Sequence, residues 1–196
     1  MQNRIIQLEN PRNAGPMSLE QAILFRRSRR EFLPEPLTLE QIGQLAWAAQ
    51  GQEPGKRYRN TPSAGATYPL ELMIVTEAGL FRYLPEEHAL EQLSEIDLRV
   101  KLYSAAWGQE FIREAPLTMV FVAEFSRTTG HYGRRGIRYV YMEAGHAAQN
   151  IHLQAESLGL GSVAVGAFDD AAVSKVLSLP SRLEPVYMVT AGYYRK

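Results

Sequence analysis

Cysteine is absent from this chain of 196 residues. Disulfides, thiolate nucleophiles and thiolate-held metals are therefore excluded. Net charge is absent too: 21 Lys and Arg balance 21 Asp and Glu. No global basic field exists to draw the protein onto nucleic acid or an anionic membrane. No run approaches the roughly 20 apolar residues that span a bilayer, and the opening MQNRIIQLEN lacks the apolar stretch of a secretory signal. The expectation is a soluble, cytoplasmic protein with no nucleic-acid or membrane partner. Histidine is scarce, and His88, His131, His146 and His152 form no His-Glu-x-x-His pair, so no metal site is expected. No Gly-x-Ser-x-Gly elbow and no Walker loop occur. The run Gly-Leu-Gly-Ser-Val-Ala-Val-Gly at 159–166 resembles a dinucleotide-binding glycine run, but it follows a helical pattern rather than a strand, which excludes the Rossmann reading.

What remains is an ordinary globular composition, 45% hydrophobic and 21% charged, in a chain long enough to bury a core unaided. Residues 1–17 read as an extended arm, with Pro11, Gly15 and Pro16 as breakers. Residues 18–196 read as one domain. Ser18 with Gln21 predicts a capped helix running into the arginines at 26–30 and ending before Pro34, and Thr38 with Gln41 predicts a second helix closed by a left-handed Gly51. Leu70–Thr76 and Leu80–Tyr83 predict a hairpin across Gly79. Helical periodicity returns from Leu93 to Trp107, Leu117–Ala123 reads as a strand buried on both faces, and 124–136 reads as a loop. A long helix is expected over Ile137–Leu158, then a short strand or turn at 161–168, a short helix to Leu179 and a final strand over 185–194. Strands interspersed with helices make the class α+β, with one sheet and helices on it.

Three segments invite ligand chemistry. Arg26-Arg27-Ser28-Arg29-Arg30 can wrap a phosphate, because arginine offers a planar fork of donors and serine a short hydroxyl bond. Alternation would send Arg26, Ser28 and Arg30 to one side of an extended segment; a solvated helix end fits the same run. Pro62-Ser63-Ala64-Gly65-Ala66-Thr67-Tyr68-Pro69 is dense in small residues that let backbone approach a planar ligand, in a loop whose length is unusual for a mere connection. Gly166-Ala167 could set a backbone N–H against a ligand atom, though a tight buried strand fits there equally.

Taken in order, these motifs resemble the flavin-dependent nitroreductase superfamily, and most closely its SagB-type dehydrogenase branch. The resemblance covers about residues 18–194. Its anchors are RRSRREF at 26–32, LTLEQIGQLAWAAQG at 37–51, RNTPSAGATYPLEL at 59–72, EAGHAAQNIHLQAESLGLG at 143–161, VGAF at 165–168 and AGY at 191–193.

The resemblance implies a nitroreductase-like fold, a mainly antiparallel sheet flanked by helices in an intertwined homodimer, with FMN held at the dimer interface. By position, Arg26, Arg27, Ser28 and Arg30 would hold the phosphate, with Arg195 the nearest C-terminal helper besides Lys196. Pro62, Ser63, Ala64 and Gly65 would border the ring. Ala164, Val165, Gly166 and Ala167 would pass its reactive edge, with the Gly166 N–H facing N5. Arg59 and Tyr68 are candidates to line the site. The implied activity is two-electron hydride transfer at N5 on a small-molecule substrate, by a ping-pong cycle with NAD(P)H as reductant. Alternatives are a SagB-type azoline dehydrogenase using oxygen, a non-catalytic flavin carrier or sensor, and an interaction protein that has lost FMN. Many nitroreductases carry asparagine and glutamine where this chain has Ala66 and Tyr68, so ring contacts made by side chains there must differ.

Overall fold

A computed structural model describes residues 3–52 and 55–195. Seven strands form one sheet: β1 (Arg4–Gln7), β2 (Leu70–Thr76), β3 (Gly79–Leu84), β4 (Ala89–Ser94), β5 (Leu117–Ala123), β6 (Gly161–Val165) and β7 (Glu184–Gly192). Their order is β1-β4-β3-β2-β5-β7-β6, and every pairing is antiparallel. The helices are α1 (Leu19–Phe25), α2 (Leu39–Gln50), α3 (Arg99–Ala105), α4 (Glu110–Glu114), α5 (Phe125–Tyr132), α6 (Arg135–Ser157) and α7 (Asp170–Val176).

Strand β5 shows how the layers arise. Its side chains alternate between faces: Leu117, Met119, Phe121 and Ala123 join the core under α2 and α6, while Val120 and Val122 join the core under α3, α4 and α7. A continuous apolar run is what burial on both faces requires. The fold is thus an antiparallel α+β sheet flanked by helices, as expected.

Local chemistry sets the helix starts. Ser18 and Gln21 form a capping box at α1, and Thr38 and Gln41 do so at α2. Three expectations need correction. Helix α1 stops at Phe25, leaving the arginine run extended from Arg26 (φ −51°, ψ 125°). Gly51 is not left-handed but extended (φ −60°, ψ 153°), and glycine is needed because a Cβ there would stand 2.3 Å from the Trp47 ring. Residues 124–136 are largely helical rather than looped: α5 buries Thr128 and packs on α6. The periodicity over 93–107 mixes the end of β4 with α3. Two strands carried too little signal. Strand β4 follows His88, whose φ is +46°, and β1, within the expected arm, is the sheet's edge on β4.

Candidate functional site

The sequence-predicted residues fall into two groups. The first gathers at the β6 edge. Ser28 bridges Ser162 in parallel fashion, and the Arg29 N–H donates to the Ser162 carbonyl at 3.0 Å. The C-terminal segment closes the group: Phe32 bridges Tyr194, and the Arg195 N–H donates to the Glu31 carbonyl at 3.2 Å.

Within this group the side chains alternate in role. The Arg27 guanidinium donates to the Leu24 and Arg26 carbonyls, both at 2.8 Å. Arg29 stacks on the Tyr194 ring at 4.7 Å and packs so close to Gly161 that a Cβ there would meet it at 2.7 Å. By contrast, the Arg26 and Arg30 guanidinium groups and the Ser28 hydroxyl have no hydrogen bond or ion pair among the described residues; Arg30 lies over the Phe111 ring at 5.7 Å. Two guanidinium forks and a hydroxyl on alternate residues of one short segment suit a phosphate. Val165, the last residue of β6, is buried, while Gly166 and Ala167 beyond it are exposed. A Cβ on Gly166 would meet nothing nearer than the Tyr187 ring at 3.5 Å, so the backbone there is open to approach.

Helix α6 supports this group from beneath with residues that sequence reasoning missed. His152 is buried, and its Nδ1 lies 2.7 Å from the Ser162 hydroxyl. Burial and the Arg26 charge push its imidazole down to about 4, so it stays neutral. One turn on, a Glu156 carboxylate oxygen accepts from the Arg27 N–H at 3.4 Å.

The second group surrounds the loop before β2. A cavity of about 620 Å³ is lined by Arg57, Tyr58, Arg59, Asn60, Pro62, Ser63, Gly65, Ala66 and Tyr68. Ala64–Ala66 forms one 3-10 turn, in which Gly65 has φ 61°; Ala66 (φ 52°) and Tyr68 (φ 45°) are also left-handed, and such strain collects at functional sites. The Tyr68 N–H donates to the Ser63 hydroxyl oxygen at 2.9 Å, while the Tyr68 hydroxyl accepts from the Arg59 N–H at 3.1 Å. The Arg59 side chain turns inward, over the Tyr68 ring at 4.9 Å, and its Nη1 donates to Gln50 and to the Leu70 carbonyl. A Cβ on Gly65 would stand 2.7 Å from the Tyr132 hydroxyl of α5.

Behind this loop lies the other residue that was missed. Glu143 of α6 is 4% exposed, and one of its carboxyl oxygens has no hydrogen-bond partner. Burial pushes its carboxyl up to about 7, against the pull of the Ser63 hydroxyl and the Arg59 charge. A charged residue on the α6 apolar stripe, between Val140 and Ala147, was the available signal. Glu143 and His152 stand roughly 13 Å apart along α6, at about 1.5 Å per residue. The two groups are separate: no residue of the basic segment lines the loop cavity.

An antiparallel α+β fold with an arginine-serine segment on one edge and a small-residue loop near its middle defines a class, which the relatives then specify. The Nitroreductase family matches residues 23–193. A protein of Methanocaldococcus jannaschii, provisionally named a nitroreductase, is 41% identical over 179 residues, covering 87% of this chain and 90% of its own. A crystal structure from Ralstonia eutropha, likewise provisionally called a nitroreductase, superposes with a TM-score of 0.87 at 33% identity, covering 98% of this chain and 90% of that one. The microcin B17-processing protein McbC of Escherichia coli is 29% identical over 156 residues, 74% of this chain; the chain spans 57% of that relative's length. The chain belongs to the nitroreductase family.

Proposed function

We propose that this protein is an FMN-dependent oxidoreductase that moves two electrons, as hydride, to or from a small organic substrate. The observation that supports it most is the side-chain set at the β6 edge. Arg26, Ser28 and Arg30 have side chains without hydrogen bonds among the described residues, on a segment bridged to β6, the strand that leads into the exposed backbone of Gly166 and Ala167. These residues fit a mononucleotide phosphate with a ring passing β6. Arg195 stands where it could add a further cation. The loop Pro62–Gly65 fits the uncharged edge of a ring, and Arg59 and Tyr68 stiffen its base.

The cofactor, when bound, supplies the hydride chemistry that no side chain here can. The protein's own part is to fix the phosphate with charge-assisted bonds, orient the ring and exclude water. NAD(P)H as reductant in a ping-pong cycle belongs to this reading.

A homodimer belongs to it as well. One chain offers the two half-sites separately, and it leaves apolar surface uncovered. On α6, Ile137, Tyr141 and Met142 are exposed on one stripe that continues through Gly145; on α1, Leu19, Ile23, Leu24 and Phe25 are exposed. Faces of this kind mark protein interfaces, and a second copy would bring its loop half-site to this chain's basic half-site.

The likeness to McbC favours a second reading, a SagB-type azoline dehydrogenase with oxygen as acceptor. The test is direct. Purified protein should be yellow and release FMN on denaturation; a colourless preparation that takes up no added FMN would refute the proposal. Anaerobic bleaching by NADH or NADPH supports the first reading. Oxygen uptake with azoline peptides, without such bleaching, supports the second.

A further inference from the structure

Away from both groups, the sheet bears a second cavity, of about 350 Å³. None of its lining residues belongs to the arginine-serine segment, the small-residue loop or the 164–167 turn. Its size is that of a small-molecule pocket. The floor is one face of the adjacent strands β1, β4, β3 and β2. Alternation puts Arg4 and Ile6 on the same face of β1, and the pairing register sets Arg4 opposite Gln92 and Ile6 opposite Leu90 of β4. Phe81 of β3 comes next, paired with Gln92 on one side and with Ile74 of β2 on the other. Thr76 follows Ile74 two residues on, on the same face.

This floor grades from apolar to polar. At one end, Ile74, Phe81 and Leu90 are members of the core under α2 and α6, so the cavity reaches down to that core. At the other end stand Thr76, Gln92 and Arg4. A further wall comes from the segment between Phe32 and α2, through Pro34, Pro36, Leu37 and Leu39. Two prolines with fixed φ stiffen that wall, so a ligand does not have to order it.

The polar end has donors to spare. The Thr76 hydroxyl oxygen accepts from the Ala78 N–H at 3.1 Å, and its own hydrogen goes to no acceptor among the described residues. Of the two arginines at the cavity, Arg99 is engaged: its Nε and Nη2 donate to Asp97, and Nη2 lies 3.9 Å from Glu77. Arg4 is not. Its guanidinium has no hydrogen bond or ion pair among the described residues, and the residue is exposed. Glu91, the acid on the neighbouring strand, belongs to the other sheet face, where it pairs with Ile5 in register and bonds to Asn3 and Arg82.

We propose that this cavity is a second ligand site, for a small apolar carboxylate. The hydrocarbon or aryl body lies on Ile74, Phe81 and Leu90, and the carboxylate meets Arg4 at the mouth. A guanidinium offers a carboxylate two parallel N–H bonds. At an exposed mouth the carboxylate keeps part of its water, which avoids the cost of burying a charge. A sugar or a nucleotide would instead set polar groups on the apolar floor without partners. The inference stands apart from the flavin reading, since the cavity shares no residue with either group.

The probe is octanoate, titrated calorimetrically into the purified full chain near neutral pH, with octanol as its uncharged match. Octanoate should bind at one site per chain. Octanol should bind about tenfold more weakly, the size of one charge-assisted contact at a wet rim. Arg4→Gln removes a charge that pairs with nothing in the fold; it should bring octanoate down to the octanol level and leave octanol unchanged. Leu39→Glu, on the exposed first residue of α2, sets a like charge in the apolar wall and should weaken octanoate at least about tenfold. No octanoate binding to the unmodified chain overturns the inference. So does octanol binding as tight as that of octanoate. Equal octanoate affinity in the unmodified chain and both variants places the probe on another apolar surface, such as α1, and overturns it as well.

Discussion

Helix α6 carries Glu143 toward one end and His152 toward the other, buried groups of opposite kind that are both held neutral. Glu143 keeps its proton up to about pH 7, and His152 stays without one down to about pH 4. Burial penalises whichever form is charged, so an acid is pushed up and a base pushed down. What differs is the neighbourhood. The Arg26 charge acts on His152, Arg26 and Arg30 have no anionic partner among the described residues, and a neutral imidazole adds no competing charge. Beside Glu143 the cation that acts on it, Arg59, is itself buried, with Nη1 bonded to Gln50 and the Leu70 carbonyl and Nε without a partner among the described residues. One half-site presents full charge on an exposed strand, and the other presents hydroxyls and backbone around a cavity. That is the division a phosphate and an uncharged ring would require.

The comparison breaks most visibly at the charged end. Arg26→Ala with Arg30→Ala removes two charge-assisted contacts worth about 1.5–3 kcal/mol each. FMN affinity should drop on the order of 100-fold or more in a fluorescence titration, with the protein still folded. Unchanged affinity would move the phosphate elsewhere.

Next in size is the pH dependence of stability, where the two ends oppose each other. Glu143 has a folded value raised from 4.5 to about 7, so its contribution is full below pH 4.5 and is lost as pH rises through 7. His152 has a folded value lowered from 6.5 to about 4, so its contribution is full above pH 6.5 and is lost as pH falls through 4. Each amounts to about 3 kcal/mol at roughly 1.4 kcal/mol per pH unit. From pH 4.5 to 6.5 they nearly cancel. Urea unfolding of Glu143→Gln should therefore show stability rising with pH across that window, and His152→Asn should show it falling. Parallel profiles in both variants would contradict the assignment.

The smallest effect sharpens the loop half. Gly65→Ala meets both a left-handed φ and the Tyr132 hydroxyl. A loss of about 1–2 kcal/mol is expected in the same unfolding assay.

The sequence was most legible where structure is decided locally. Ser18 with Gln21 and Thr38 with Gln41 announce helix starts because the caps involve neighbours only, and β5 announces itself because burial on both faces leaves a run that is apolar but for Thr118. Strand β1 was hidden, since it exists only through pairing with β4, eighty residues away in the chain as Gln7 meets Ala89. Helix α5 was hidden under Arg and Gly, and only packing on α6 makes it regular. At the candidate site the arginine-serine cluster and the small-residue loop could be read from residue type. Glu143, His152 and Glu156 could not, because their role comes from lying on the buried face of a helix. In hindsight that face was written in the spacing: His152 and Glu156 continue the row of Ala148 at intervals of four.

The central claim is that one chain's arginine-serine edge works with another chain's loop. Mixing two defective variants tests it most directly: Arg26→Ala with Arg30→Ala in one chain, and Gly65→Val in the other, each unable to retain FMN alone. Unfolded and refolded together, the mixture should recover flavin, because each mixed dimer contains one site with both halves intact. If the mixture stays as colourless as its components while forming mixed dimers, both halves belong to a single chain and the account is wrong.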